Sequence, residues 1–102
     1  MDIKEIIDSC GNKRYYNNQN QLHNIDDKPS AIYKSGAKYW HKNGKLERDN
    51  DQPAVILEDK SKFWYKNGLK HRDNNQPAVI WQDGTKEYWN NGIYIKSEIG
   101  CI

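Results

Sequence analysis

The chain has 102 residues, enough for one domain that buries about two thirds of the surface its unfolded form exposes. Its 35% hydrophobic residues leave that domain a thin core, and 16 Lys and Arg against 14 Asp and Glu give a formal charge of +2, which excludes the basic excess of a dedicated nucleic-acid binder. With 12% aromatic residues and 3 prolines in a polar background, the composition argues against disorder and for an exposed β-sheet.

At the start of the chain, Asp2 is placed to cap a short helix over residues 2–10 that carries Ile3, Ile6, Ile7 and Cys10 on one face, with Gly11 as its left-handed stop. This helix is expected to cover an open sheet edge. The segment Met1 to Gly11 has neither a basic start nor a long apolar run, and no stretch approaches the roughly 20 apolar residues of a membrane span. A soluble, intracellular, cytoplasmic protein is expected. Cys10 and Cys101 lie near the two ends and there is no Asn-x-Ser/Thr site, so free thiols in a reducing compartment are the expectation.

From Arg14 to Lys96 the chain repeats itself every 24 residues, giving about three and a half copies within a single domain spanning 1–102. Pro29, Pro53 and Pro77 fall on the period, as do Gly44, Gly68 and Gly92, and Lys38, Lys62 and Lys86. No slip in register is expected. Asn43-Gly44, Asn67-Gly68 and Asn91-Gly92 read as hairpin tips with positive φ at both central residues, and Gln19-Asn20 takes that slot in the first copy. A second turn is read at Ser35-Gly36, Asp59-Lys60 and Asp83-Gly84, where Lys60 breaks the glycine pattern. Short β-forming runs such as Ala54–Leu57 and Lys62–Lys66 lie between the turns. Residues 97–102 are expected to close the far end as a C-terminal cap, with Ile93, Ile95, Ile99 and Ile102 supplying its apolar surface. The fold class is all-β: tandem β-hairpins forming an antiparallel sheet.

Tyr39-Trp40-His41-Lys42-Asn43-Gly44-Lys45-Leu46 and Trp64-Tyr65-Lys66-Asn67-Gly68 resemble MORN repeats in their divergent variant, similar to those of giant-virus and bacterial antitoxin-like proteins. The resemblance covers roughly residues 14–96. It implies a curved, single-layer antiparallel sheet without catalysis that serves as a scaffold, a dimerisation element or a membrane tether, in the host cell for a viral chain. The sequence departs from the typical pattern at Arg48-Asp49-Asn50-Asp51 and Arg72-Asp73-Asn74-Asn75, where a more acidic loop replaces the glycine that follows the His position.

Tyr16, Trp40, Trp64 and Tyr88 share one repeat position and are assigned to the core. Strand alternation then sends Tyr39, His41, Phe63, Tyr65 and Trp89 to the opposite face. Those five are the candidate protein-binding face, for another protein or for a homodimer. Arg14, Lys38, Lys62 and Lys86 form a candidate anion-binding row, and Arg48, Arg72 and Lys96 a second basic row expected to pair with nearby Asp residues. His23, Glu47 and His71 also share a position, but equivalent positions lie roughly 10 Å apart, whereas zinc needs donors about 2 Å from one centre. No metal, cofactor or small-molecule substrate is expected. No nucleophile beside a base, carboxylate pair or phosphate loop stands out. The expected function is a non-catalytic module for protein–protein binding or self-assembly, a scaffold or adaptor. Its alternative is attachment to anionic, phosphoinositide-bearing membrane or to nucleic acid through the basic rows.

Overall fold

A computed structural model describes residues 2–100. Among them the chain is all-β and antiparallel. Its strands are β1 (Lys4–Ile7), β2 (Lys13–Tyr16), β3 (Ala31–Ile32), β4 (Lys38–Tyr39), β5 (His41–Lys42), β6 (Lys45–Leu46), β7 (Val55–Ile56), β8 (Lys62–Phe63), β9 (Tyr65–Lys66), β10 (Leu69–Lys70), β11 (Val79–Ile80), β12 (Lys86–Asn90) and β13 (Ile93–Glu98). A nine-stranded sheet runs β1-β2-β3-β4-β7-β8-β11-β12-β13, and two small hairpins, β5-β6 and β9-β10, stand beside it. The whole measures 41 × 26 × 19 Å.

Turn chemistry sets the spacing. Asn43 and Gly44 have φ of 49° and 86°, and Asn67-Gly68 and Asn91-Gly92 repeat the pair, as a type I′ hairpin requires. A further turn joins each hairpin to the next strand, with positive φ at both Asp26 and Asp27, at Asn50 and Asp51, and at Asn74 and Asn75. Lys28, Gln52 and Gln76 donate their amides back across these turns to Ile25, Asp49 and Asp73. The acidic loops are therefore a second set of left-handed turns, filled by the two residue types that tolerate such backbone best after glycine.

The hairpins are stitched in series. Gly44 donates its amide to the Leu22 carbonyl, Gly68 to Leu46 and Gly92 to Lys70, at 2.9, 2.9 and 2.8 Å. The core is narrow: Ala31, Val55, Val79, Ala54, Ala78, Trp40 and Trp64 are buried. Ser30 and Ser61 are fully buried, and each hydroxyl is bonded, Ser30 to the Tyr39 carbonyl and Ser61 to the Gln82 amide. No buried side-chain nitrogen or oxygen among the described residues lacks a partner.

The expected capping helix over 2–10 is absent: Lys4–Ile7 is a strand whose register sets Lys4 against Tyr16 and Ile7 against Lys13. Asp8 does not act within a helix. Its carboxylate accepts the amides of Cys10 and Asn12, forming the turn that returns the chain as β2. Pairing with β2 satisfies the backbone while Ile6 and Ile7 remain 44% and 55% exposed, so the 3-4 spacing of isoleucines had no apolar partner to favour a helix. At the other end Ser97 and Glu98 belong to β13, and Ile93, Ile95 and Ile99 are exposed rather than closing an end. Cys101 and Ile102 lie outside the described residues.

Candidate functional site

Strand register sorts the basic residues. Lys13, Ile32, Lys38, Ile56, Lys62, Ile80 and Lys86 are successive Cα partners across β2-β3-β4-β7-β8-β11-β12. They form one row in which lysine and isoleucine alternate. Lysines two strands apart stand about 9.5 Å from one another. Among the described residues none of the four lysines makes an ion pair.

Arg14, expected in this row, is not in it. It pairs with Ala31 one position along, bonds Asp8 at 3.3 Å and lies over the Tyr33 ring. The cause is one extra residue in the first copy: Tyr15 donates its amide to Ser30 just as Trp40 donates to Ala54 and Trp64 to Ala78. Tyr15 precedes Trp40 by 25 residues, whereas Trp40 precedes Trp64 by 24. The extra residue lies in the first tip, where Asn17 pairs with Gln21 and Asn20, with φ of 59°, turns the chain. By backbone register Tyr15, not Tyr16, stands where Trp40 and Trp64 stand in later copies.

The second basic row is used internally. The Arg48 guanidinium sits 3.7 Å from the Trp40 ring centroid, grips both oxygens of Asp27 at 2.9 and 3.1 Å, and donates to the Pro53 carbonyl. Arg72 does the same with Trp64, Asp51 and Pro77. The tryptophan indoles in turn donate to the Asp27 and Asp51 carbonyls. Pairing thus reaches back to the preceding turn, while Asp49 and Asp73, the residues that follow the arginines, bind Lys42 and His71. Lys96 covers Tyr88 at 4.8 Å and pairs with Glu98. The Arg48 hydrogen bond holds the Asp27 carboxyl below its ordinary range against the opposing effect of burial.

His23, Glu47 and His71 each accept the backbone amide at the next tip, Asn43, Asn67 and Asn91, at 3.0, 2.9 and 3.0 Å. Their shared position is an inter-hairpin tie. No group of three His, Cys, Asp or Glu among the described residues could hold a metal ion.

The aromatic residues gather into two groups on the row that carries Tyr39, Val55, Phe63, Val79 and Glu87. In the first, Tyr39 meets Tyr33 edge-on at 5.3 Å and stacks with His41 at 6.5 Å. Ser30 spends its hydroxyl hydrogen on the Tyr39 carbonyl, so its 2.7 Å contact with His41 Nδ1 is donated by the imidazole. Burial lowers the pKa of His41, and burial followed by nearby Tyr39 raises that of Tyr65. This group is packed into the sheet.

The second group is more open. Phe63 meets Trp81 edge-on at 5.1 Å, and Trp89 meets Tyr94 at 5.4 Å. Glu87 accepts the Trp81 indole at 2.8 Å and the Trp89 indole at 2.9 Å. Lys70 Nζ lies 4.5 Å from the Trp89 centroid and 5.9 Å from that of Phe63. Burial pulls the Glu87 pKa upward, but the two indole bonds and Lys70 outweigh it and leave the carboxyl below its ordinary value. Trp81, Tyr94 and Lys70 were not singled out from the sequence. For Trp81 the signal was there: Tyr33, Leu57 and Trp81 share one repeat position, always large and apolar or aromatic.

No family model matches the chain, and neither a curated protein nor a solved structure matches it.

Proposed function

We propose that the chain is a non-catalytic tandem-repeat module, MORN-like in its 24-residue period, that binds another protein through the open aromatic group. The observation that carries this reading is the clamp of Glu87 on two tryptophans. Interfaces draw most of their free energy from a few Trp, Tyr and Arg anchors, and anchors already fixed in one rotamer lose less entropy on binding. Trp81 is 37% exposed, and exposed Tyr94, packed on Trp89, extends the patch.

The test is capture of a partner followed by titration of that purified partner against wild type and a Trp81→Ala/Trp89→Ala variant. Loss of binding in the folded variant is expected. A partner that binds both proteins equally overturns the reading.

One observation favours a second reading, attachment to an anionic membrane surface: Lys13, Lys38, Lys62 and Lys86 stand in one row and, among the described residues, make no ion pair, with Glu98 the acidic residue opposite Lys86. Co-sedimentation with phosphoinositide vesicles that survives near-physiological salt and is lost in Lys38→Glu/Lys62→Glu/Lys86→Glu would support it. Equal binding to a nucleic-acid duplex would instead mark a non-specific polyanion contact.

A further inference from the structure

Strand β13 ends the nine-stranded sheet on one side, and all six of its residues are exposed. Its backbone is oriented for further pairing. Glu87 uses its carbonyl to accept the Ala78 amide on the β11 side, at 2.9 Å, so its backbone groups face away from β13. Ser97, directly opposite Glu87, therefore turns its N–H and C=O out to the open edge, and alternation gives Ile99 the same aim. An edge of this length with outward donors and acceptors, no proline and exposed isoleucines is a template for another strand.

The sequence along that edge selects the strand. Ile95-Lys96-Ser97-Glu98-Ile99 is its own charge complement when read backwards. We propose that a second copy of this chain pairs antiparallel along β13, with a two-fold axis through Ser97. That register sets Ser97 against Ser97 and Lys96 against Glu98, and its regular part ends at Ile95, the residue that the bulge between Lys96 and Tyr94 leaves without a partner on β12. The two serines, with outward backbone, form the hydrogen-bonded pair. Lys96 and Glu98 then fall at the non-hydrogen-bonded positions, where opposed side chains come closest. Shifting the axis by one residue sets Lys96 against Lys96 or Glu98 against Glu98, so like charges oppose both neighbouring registers. Within one chain the Lys96–Glu98 contact is long, 3.9 Å, with side chains 59% and 51% exposed; Glu98 accepts the Tyr88 hydroxyl with one oxygen, at 2.8 Å, and its other oxygen can take Lys96 across the seam. Because the contact is isologous it closes as a dimer. It uses the edge from Lys96 to Ile99, beside Tyr94 of the aromatic group but not through it, and stands whether or not that group binds a partner.

The test is the mass of the full 102-residue chain by light scattering and sedimentation over a wide concentration range, with reductant present so that Cys10 and Cys101 form no crosslink. A monomer–dimer equilibrium is expected. Ser97→Pro removes an amide hydrogen that β12 does not use and should leave a folded monomer, with circular dichroism checking the fold. Lys96→Glu should weaken the dimer by about tenfold or more, and Lys96→Glu/Glu98→Lys should restore it, a rescue that a general loss of stability would not show. A monomer at every concentration, a dimer indifferent to Ser97→Pro and to the charge reversal, or mass that grows without limit through β1 meeting β13, would each overturn the proposal.

Discussion

The guanidinium carbon of Arg72 lies 3.9 Å from the ring centroid of Trp64, and the same guanidinium reaches Asp51 and the Pro77 carbonyl. Asp51 is 59% exposed while Arg72 is 15% exposed. The ion pair is therefore screened and contributes under about 1 kcal/mol, and the stacking and the carbonyl bond carry more. Arg72→Ala should cost about 2 kcal/mol in denaturant unfolding and Asp51→Asn less than half of that. Arg72→Lys should not rescue, because an ammonium cannot make the fork and the stack together. Equal losses for Arg72→Ala and Asp51→Asn would show that the ion pair dominates after all.

Trp64 is 7% exposed and donates its indole N–H to the Asp51 carbonyl. Trp64→Ala should cost about 3–5 kcal/mol, close to the full stability of a small domain. Trp64→Phe keeps most of the volume but leaves that carbonyl unpaired, and should cost about 1–3 kcal/mol. A Trp64→Ala protein with an unchanged melting temperature would remove Trp64 from the core.

Lys60 has φ of 77° where Gly36 and Gly84 stand in the equivalent turns at 102° and 90°. A side chain in that backbone region carries a penalty of about 1–2 kcal/mol. Part of that gain is offset by the greater freedom glycine has when unfolded. Lys60→Gly should therefore stabilise by about 0.5–1 kcal/mol, seen as a higher melting temperature. A lower one would mean that the lysine side chain holds something the glycine cannot.

Burial lowers the pKa of His41 from its ordinary 6.5. The unfolded chain then binds the proton more readily than the folded one, so stability falls as pH drops through 6.5 and stops falling below the folded pKa. Ser30→Ala/His41→Tyr places at these positions the residues found at Ala54 and Tyr65, and should lessen the fall of the denaturation midpoint as pH drops through 6.5, relative to wild type. Identical pH profiles for the two proteins would exclude His41 as the cause.

The sequence announced its turns better than its register. Asn43-Gly44 and its equivalents are local signals, since few other residue pairs tolerate two positive φ angles. Asn50-Asp51 and Asn74-Asn75 encode turns by the same physics, within the loops that the sequence marks as more acidic than the MORN pattern. The extra residue at Gln19-Asn20 was invisible because proline, glycine and lysine landmarks all resume the period after it, and the shift shows in the pairing of Lys13 with Ile32 and in the Tyr15 bond to Ser30. That shift moved Arg14 out of the lysine row and placed Tyr15 where Tyr16 was expected. The helix over 2–10 failed for a different reason: isoleucine spacing is compatible with both a helix face and a strand, and the decision was made by β2, a partner that periodicity does not display.

The stitches from Gly44 to Leu22, Gly68 to Leu46 and Gly92 to Lys70 all run one way, from each tip back to the hairpin before it, and the ties to His23, Glu47 and His71 run the same way. The stack has a direction. At the tips each hairpin supplies the acceptors that its successor needs, while Trp40 and Trp64 draw theirs from Ala54 and Ala78 in the segment that follows. On a ribosome, every newly emerged tip would find its acceptors already made, while the tryptophan behind it would wait for the next strand.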